Sequence, residues 1–152
     1  DVLDMGMGEG RNAVFLATKG YDVVGIDISS VAIKKASALA KEFGVKIKGI
    51  VASMTTYPII DGEFDSIICF YYVDRSLVKK MVKWLRPGGI LIYEAHTTHQ
   101  LGVKKSQYQN KDYLLKPGEL LSLFPKMNIL KYEEPLHTGE FTSSIILQKP
   151  NK

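Results

Sequence analysis

The segment Asp4-Met5-Gly6-Met7-Gly8-Glu9-Gly10 stands between an apolar run, Val2 to Met5, and a helix-forming run from Arg11. Glycines there let the backbone turn sharply and leave no side chain between the main-chain amides and a ligand. The dinucleotide fingerprint G-x-G-x-x-G fails, because Arg11 occupies the place of the third glycine and Gly10 stands one residue earlier. Asp27 ends the next apolar run, 23 residues beyond Asp4, where a carboxylate can accept hydrogen bonds from both ribose hydroxyls of a nucleoside. A glycine turn alone is a weak signal. With its strand and helix flanks and the spaced acid, it points to a nucleoside-containing cofactor rather than to a purely structural turn.

A second set of polar residues falls at later strand ends: Tyr71, Tyr72 and Arg75 after the fourth, Glu94, His96 and His99 after the fifth, and His137 in a terminal hairpin. Glu94 and His96 are the stronger candidates for acid–base work, since the C-terminal end of a central strand is the ligand edge of an open sheet. His99, in a polar stretch, reads as a surface residue, and Tyr71 and Tyr72 read equally as core or as a wall facing a cation. Cys69, flanked by Ile67, Ile68 and Phe70, reads as a buried core thiol. Three histidines without HxH or HxxxH spacing, and no second cysteine, argue against a metal site.

Alternating strand and helix periods supply the frame. Strands are expected at Val2–Met5, Tyr21–Asp27, Val45–Val51, Phe64–Phe70 and Ile90–Glu94. Between them, helices are expected over Arg11–Lys19, from a Ser29 or Ser30 cap to Gly44, and from an Asp74 cap to Leu85, where Pro87-Gly88-Gly89 stops the last. Successive βα units require parallel strands with helices on both faces, a doubly wound α/β sheet. After a polar stretch, residues 97 to 111, a short helix opened by Pro117 ends near Phe124. The strands Asn128–Glu133 and Phe141–Gln148, closely joined, form an antiparallel hairpin.

With 152 residues, 45% hydrophobic and 24% charged, and with no linker or repeat, the chain reads as a single globular domain over residues 1–152. Its longest uncharged apolar stretch, Ser66 to Val73, is far short of a membrane span. The net charge of +4 is uneven: residues 1–76 carry eight basic and ten acidic groups, residues 77–152 twelve and six. The excess is scattered over lysines such as Lys79, Lys80, Lys104 and Lys105, with no arginine-rich or aromatic-interleaved stripe, which reads as a solvated face and argues against nucleic acid.

The run Val2 to Asn12 resembles the first motif of class I S-adenosylmethionine-dependent methyltransferases, particularly the branch of tellurite-resistance methyltransferases in which G-x-G-R-N recurs, here Gly8 to Asn12. Tyr21 to Ser29, Phe64 to Ile67 and Leu85 to Leu91 resemble its later landmarks. The resemblance implies a seven-stranded, mostly parallel sheet of order 3-2-1-4-5-7-6 with the last strand antiparallel. It implies S-adenosylmethionine as cofactor and S-adenosylhomocysteine as product. Asp4 and the backbone around Gly6 would hold the methionine end, with Met7, Gly8, Gly10 and Asn12 of the same motif. Asp27 would bind the ribose and Ile28 would flank the adenine. Ser53, where the family often has an aspartate, and Met54 would complete that side, and Phe70 would close the pocket near the transferred methyl. His137 with Gly139 is similar to an H-x-G signature of the branch, which implies substrate contact.

Two departures bear on the acceptor. The family normally has a segment before its first strand that folds over the cofactor, so a lid is expected to be missing here, and a Gly- and Pro-rich loop after strand five is replaced by residues 104–110. The motif N/D-P-P-Y/F of DNA-methylating enzymes is absent, the sequence reading Phe70-Tyr71-Tyr72-Val73. The expectation is a cytoplasmic methyltransferase acting on a small molecule, with Glu94, His96 and His137 as catalytic candidates, no metal, no membrane and no fixed oligomeric state. Its rivals are a nicotinamide-dependent oxidoreductase, which Arg11 opposes, and a cofactor-binding module without turnover.

Overall fold

A computed structural model describes residues 1–103, 107, 110–136 and 139–152. Seven strands form one sheet: β1 (Val2–Met5), β2 (Val23–Asp27), β3 (Lys48–Val51), β4 (Phe64–Phe70), β5 (Leu85–His96), β6 (Asn128–Glu133) and β7 (Thr142–Gln148). The order is β3-β2-β1-β4-β5-β7-β6, as the resemblance implies. Strands β1 to β5 are mutually parallel, and β7 runs antiparallel to both β5 and β6.

β1 lies between β2 and β4 and is buried at all four positions, which is why its sequence is an unbroken apolar run apart from Asp4. Helix α1 (Arg11–Thr18) follows the glycine turn. Helix α2 (Ser30–Glu42) starts where the Ser29 hydroxyl accepts the Ala32 amide at 3.1 Å, the cap expected from its residue type. These helices cover one face through Ala13, Ile33 and Ala36. Helix α3 (Val78–Trp84) and the short α4 (Glu119–Leu123) cover the larger core on the other face, where Leu3, Ile67, Met81, Trp84, Leu91 and Leu120 meet.

Helix α3 ends at Trp84, within one residue of the expected Leu85, but two expectations are corrected. The fifth strand does not wait until Ile90: Leu85 already pairs with Phe64 as the first residue of β5, a register shift between Phe64 and Ser66 absorbing the irregular approach. The polar stretch after β5 is not wholly a surface loop. Thr97 and Gln100 are buried: the Thr97 amide donates to the Phe141 carbonyl at 2.9 Å, and Gln100 Oε1 accepts the Phe141 amide at 2.9 Å, so this segment pins the start of β7. Cys69 is buried as expected, and burial pushes its thiol well above the ordinary range. Among the described residues, no helix is long and apolar enough to cross a membrane, and no group of His, Cys, Asp and Glu could hold a metal.

Candidate active site

Parallel strands bring their C-terminal ends to one edge, and there the chain sets Gly6 after β1, Asp27 at the end of β2, Phe70 at the end of β4 and His96 at the end of β5. Gly6, Gly8 and Gly10 all have positive φ, +64°, +59° and +82°. A Cβ on Gly8 would meet no atom within 4 Å, so its backbone faces open space. A Cβ on Gly10 would stand 2.6 Å from the Ala36 Cβ, so that glycine is what lets the start of α1 lie against α2.

Two adjoining cavities meet at Gly6. The larger, about 510 Å³, is lined by Asp4, the glycine loop, Arg11, Asn12, Phe70 and Tyr71; the smaller, about 250 Å³, by Asp27, Ile28, Ser53, Met54 and Tyr72. Another cavity of about 510 Å³ lies at the opposite edge among residues such as Asp22, Lys48 and Arg86, away from the glycine loop.

Asp27 organises the loop directly. Its Oδ2 accepts the Gly8 amide at 2.8 Å and its Oδ1 the Ser29 amide at 2.9 Å. Each carboxylate oxygen accepts about two hydrogen bonds, so both retain capacity toward the cavity. Asp4 is only 3% exposed; its Oδ2 has no hydrogen-bond partner. Burial pushes its pKa up to about 7, the Asp27 charge adds to the rise, and a hydrogen bond from the Ala13 backbone opposes it.

The remaining predicted residues divide. Met7 borders the larger cavity, but its side chain packs into the core against Gly25 and Gly49, and its amide donates to the Ile26 carbonyl at 3.0 Å. Met54 is also buried, whereas Ile28 is 77% exposed over the smaller cavity. The Ser53 hydroxyl pairs with that of Thr55 at 2.8 Å. His137 lies outside the described residues.

Glu94 and His96 sit on one face of β5, two residues apart, and Tyr71 spans them. Its hydroxyl donates to Glu94 Oε2 at 2.8 Å, and its ring stacks on His96 with centroids 4.9 Å apart and planes at 29°. Burial holds the His96 pKa below the ordinary histidine range, against the opposing pull of Glu140 and Glu94. Burial thus disfavours the charged imidazolium beneath Tyr71. Sequence reasoning placed Tyr71 near the site without this bridge, which depends on a cross-strand register that no local pattern displays.

Arg75 belongs to the scaffold. Its guanidinium clasps Glu119 through Nε at 2.5 Å and Nη2 at 2.8 Å, and also donates to the Asp112 and Leu114 carbonyls, tying the turn after β4 to α4. His99 is exposed as expected, with its ring 5.7 Å from that of Phe141.

A family model described as a methyltransferase domain matches residues 2–89. The ubiquinone biosynthesis O-methyltransferase of Rickettsia akari is 27% identical over 147 residues, covering 85% of this chain and 58% of that protein. The tRNA 5-carboxymethoxyuridine methyltransferase of Escherichia coli K12 is 30% identical over 121 residues, covering 74% and 46%. The chain thus spans about half the length of these curated relatives. The structure of TehB from Haemophilus influenzae superposes with a TM-score of 0.78 at 20% identity, over 97% of this chain and 57% of that one. TehB is one such neighbour among many and shows the shared fold.

Proposed function

The chain belongs to the S-adenosylmethionine-dependent methyltransferase family, and from that premise we propose that it transfers a methyl group to a small-molecule acceptor, releasing S-adenosylhomocysteine. The observation that carries this reading is the pair of cavities joined at Gly6, with Asp4 behind one and Asp27 beside the other.

The residues present fit the cofactor. A buried carboxylate oxygen without a partner, Asp4 Oδ2, is the group to meet a cationic aminocarboxylate tail. The open face of Gly8 leaves room for close approach, and Asp27 is already held by two amides in the orientation that receives a ribose. Ile28, Ser53, Met54 and Tyr72 supply a largely apolar slot for the base. Asn12, at the exposed start of α1, and Gly10 border the tail end, where Gly10 acts through packing rather than contact.

Held there by Asp4, the Gly8 backbone and Asp27, the cofactor would supply an activated methyl group for transfer to the acceptor. The protein's work is alignment and exclusion of water. Phe70 and Tyr71 wall the end of the larger cavity and limit the approach of an acceptor. The G-x-G-R-N run over Gly8–Asn12 supports placement near the tellurite-resistance branch. The larger cavity is walled at one end by Phe70 and Tyr71, and the charges on its border, Asp4, Glu9 and Arg11, include no cluster of cations for a phosphate backbone, which supports a small molecule over RNA as acceptor.

Incubation with methyl-labelled S-adenosylmethionine and a panel of hydroxyl, thiol and oxyanion acceptors tests the proposal. Label in a small acceptor supports it. Label found in tRNA alone replaces the small molecule with RNA, and tight cofactor binding without turnover on any acceptor leaves a binding module.

A further inference from the structure

Among the described residues, Asp27 is the one charged side chain on the wall of the smaller cavity, and both of its oxygens already hold main-chain amides. Tyr72 lays its ring on Gly6, at the junction with the larger cavity: a Cβ on Gly6 would stand 3.0 Å from the Tyr72 Cγ. The remaining polar side chain on the wall is that of Ser53, which follows the end of β3. Its turn is held from several sides. The Ala52 amide donates to the Asp27 carbonyl at 3.0 Å, and the Thr56 and Tyr57 amides donate to the Ser53 carbonyl at 3.2 and 2.9 Å. From α3, Lys80 Nζ donates to the Thr55 carbonyl at 3.0 Å.

Within that turn Ser53 Oγ receives the Thr55 amide at 3.4 Å and lies 2.8 Å from Thr55 Oγ1, a pair in which either hydroxyl can donate. A hydroxyl carries one proton and two acceptor lone pairs. When Ser53 donates to Thr55, one Ser53 lone pair stays open toward a ligand. When Thr55 donates to Ser53, both lone pairs are filled and the Ser53 proton is open instead. Ser53 therefore always has one valence to offer, and its polarity reverses with the pair. Thr55 is exposed, so water completes its side in either arrangement.

We propose that Ser53 reads the 6-position of the cofactor's purine through this reversible pair, so that the chain takes a nucleoside with a hydrogen-bond acceptor there as readily as adenosine with its amino donor. The inference rests on the methyl-transfer reading, which supplies the purine. A carboxylate in the same place would accept from the amino group and repel an acceptor, whereas the hydroxyl pair serves both.

The test compares S-adenosylhomocysteine with its counterpart whose 6-amino group is replaced by methoxy, which turns a donor into an acceptor and leaves the ring nitrogens unaltered. Each is titrated calorimetrically into the full chain. Their affinities are expected to agree within about threefold, since each makes one neutral hydrogen bond to Ser53. Ser53→Ala should weaken both by about fivefold, the size of one net hydrogen bond, and leave their ratio unchanged. Ser53→Asp should favour the amino ligand at least about tenfold, because the charged acceptor strengthens one contact and repels the other.

A wild-type preference beyond about threefold in either direction, or a Ser53→Asp ratio that stays at the wild-type value, overturns the proposal. Were Ser53→Asp to unfold, Ser53→Ala would decide it instead, since affinities unmoved by loss of the hydroxyl would put the 6-position elsewhere. Failure of S-adenosylhomocysteine itself to bind overturns the methyl-transfer reading and this inference with it, whereas binding of the amino ligand with rejection of the methoxy one overturns the inference alone.

Discussion

The Asp27 carboxylate takes the amide of Gly8 at 2.8 Å, joining residues nineteen apart and fixing the glycine loop against the end of β2. With the Ser29 amide on its other oxygen, the side chain is oriented before anything binds. Asp27→Ala removes the support of the loop and, in the proposed site, the ribose contact as well. It should weaken S-adenosylhomocysteine binding at least about tenfold, since charge-assisted hydrogen bonds are worth roughly 1.5 to 3 kcal/mol. Calorimetric titration checks this, and a change below twofold would put the nucleoside elsewhere.

Asp4 links binding to pH. Its folded-state pKa of about 7 lies above the unfolded value of 3.8, so the folded chain holds the extra proton between those limits. Stability from this group is therefore greatest below about pH 4 and is lost as pH rises toward 7. An ammonium meeting the ionised carboxylate reverses the shift, so S-adenosylhomocysteine affinity should rise with pH up to about 7 and then level off. Titrations near pH 6 in two buffers of different ionisation enthalpy should reveal release of a proton. Asp4→Asn should remove the proton release and weaken binding while making the ligand-free fold less sensitive to pH.

Gly8 and Gly10 should separate. Gly8→Asn, a residue type that tolerates positive φ, places its side chain in the open approach and should sharply weaken cofactor binding with a smaller loss of stability than Gly10→Ala causes. Gly10→Ala drives a methyl against Ala36 and should destabilise the fold by roughly 1 to 3 kcal/mol. Thermal unfolding paired with calorimetry distinguishes the two outcomes.

Arg75→Ala should lower stability by about 1 to 2 kcal/mol, allowing for the partial exposure of the Arg75–Glu119 clasp. Cofactor affinity should be unchanged. The clasp also holds the Glu119 pKa below the usual range, so its contribution is present above the unfolded pKa and is lost as pH falls through the folded one. Denaturant midpoints of wild type and variant should therefore converge in acid.

The frame was legible because β1, β2 and β4 are parallel strands covered on both faces, so burial writes itself as continuous apolar runs. Asp27 was legible through its spacing from the glycine turn. The joint of Tyr71 with Glu94 was not, because it needs the register that sets Phe70 opposite Glu94 and a tyrosine backbone held at positive φ. Arg75 and Glu119 lie 44 residues apart, so no local pattern separates a structural arginine from a functional one. Burial of Gln100 within the polar stretch 97–111 was not legible because its partner, the Phe141 amide, is 41 residues away and its polarity is satisfied inside the fold. Met7 sat in a motif that suggested contact, but its side chain fills the space that Gly25 and Gly49 leave free.

The central claim is that the Gly6–Gly10 turn and Asp27 form a site for the nucleoside of S-adenosylmethionine rather than for a dinucleotide. Parallel calorimetric titrations of the chain with S-adenosylhomocysteine and with NAD test it most directly. Saturable one-to-one binding of S-adenosylhomocysteine is expected, weakened at least about tenfold by Asp27→Ala, with no binding of NAD at the same concentrations. Equal affinity for NAD, or S-adenosylhomocysteine binding indifferent to Asp27→Ala, would contradict it.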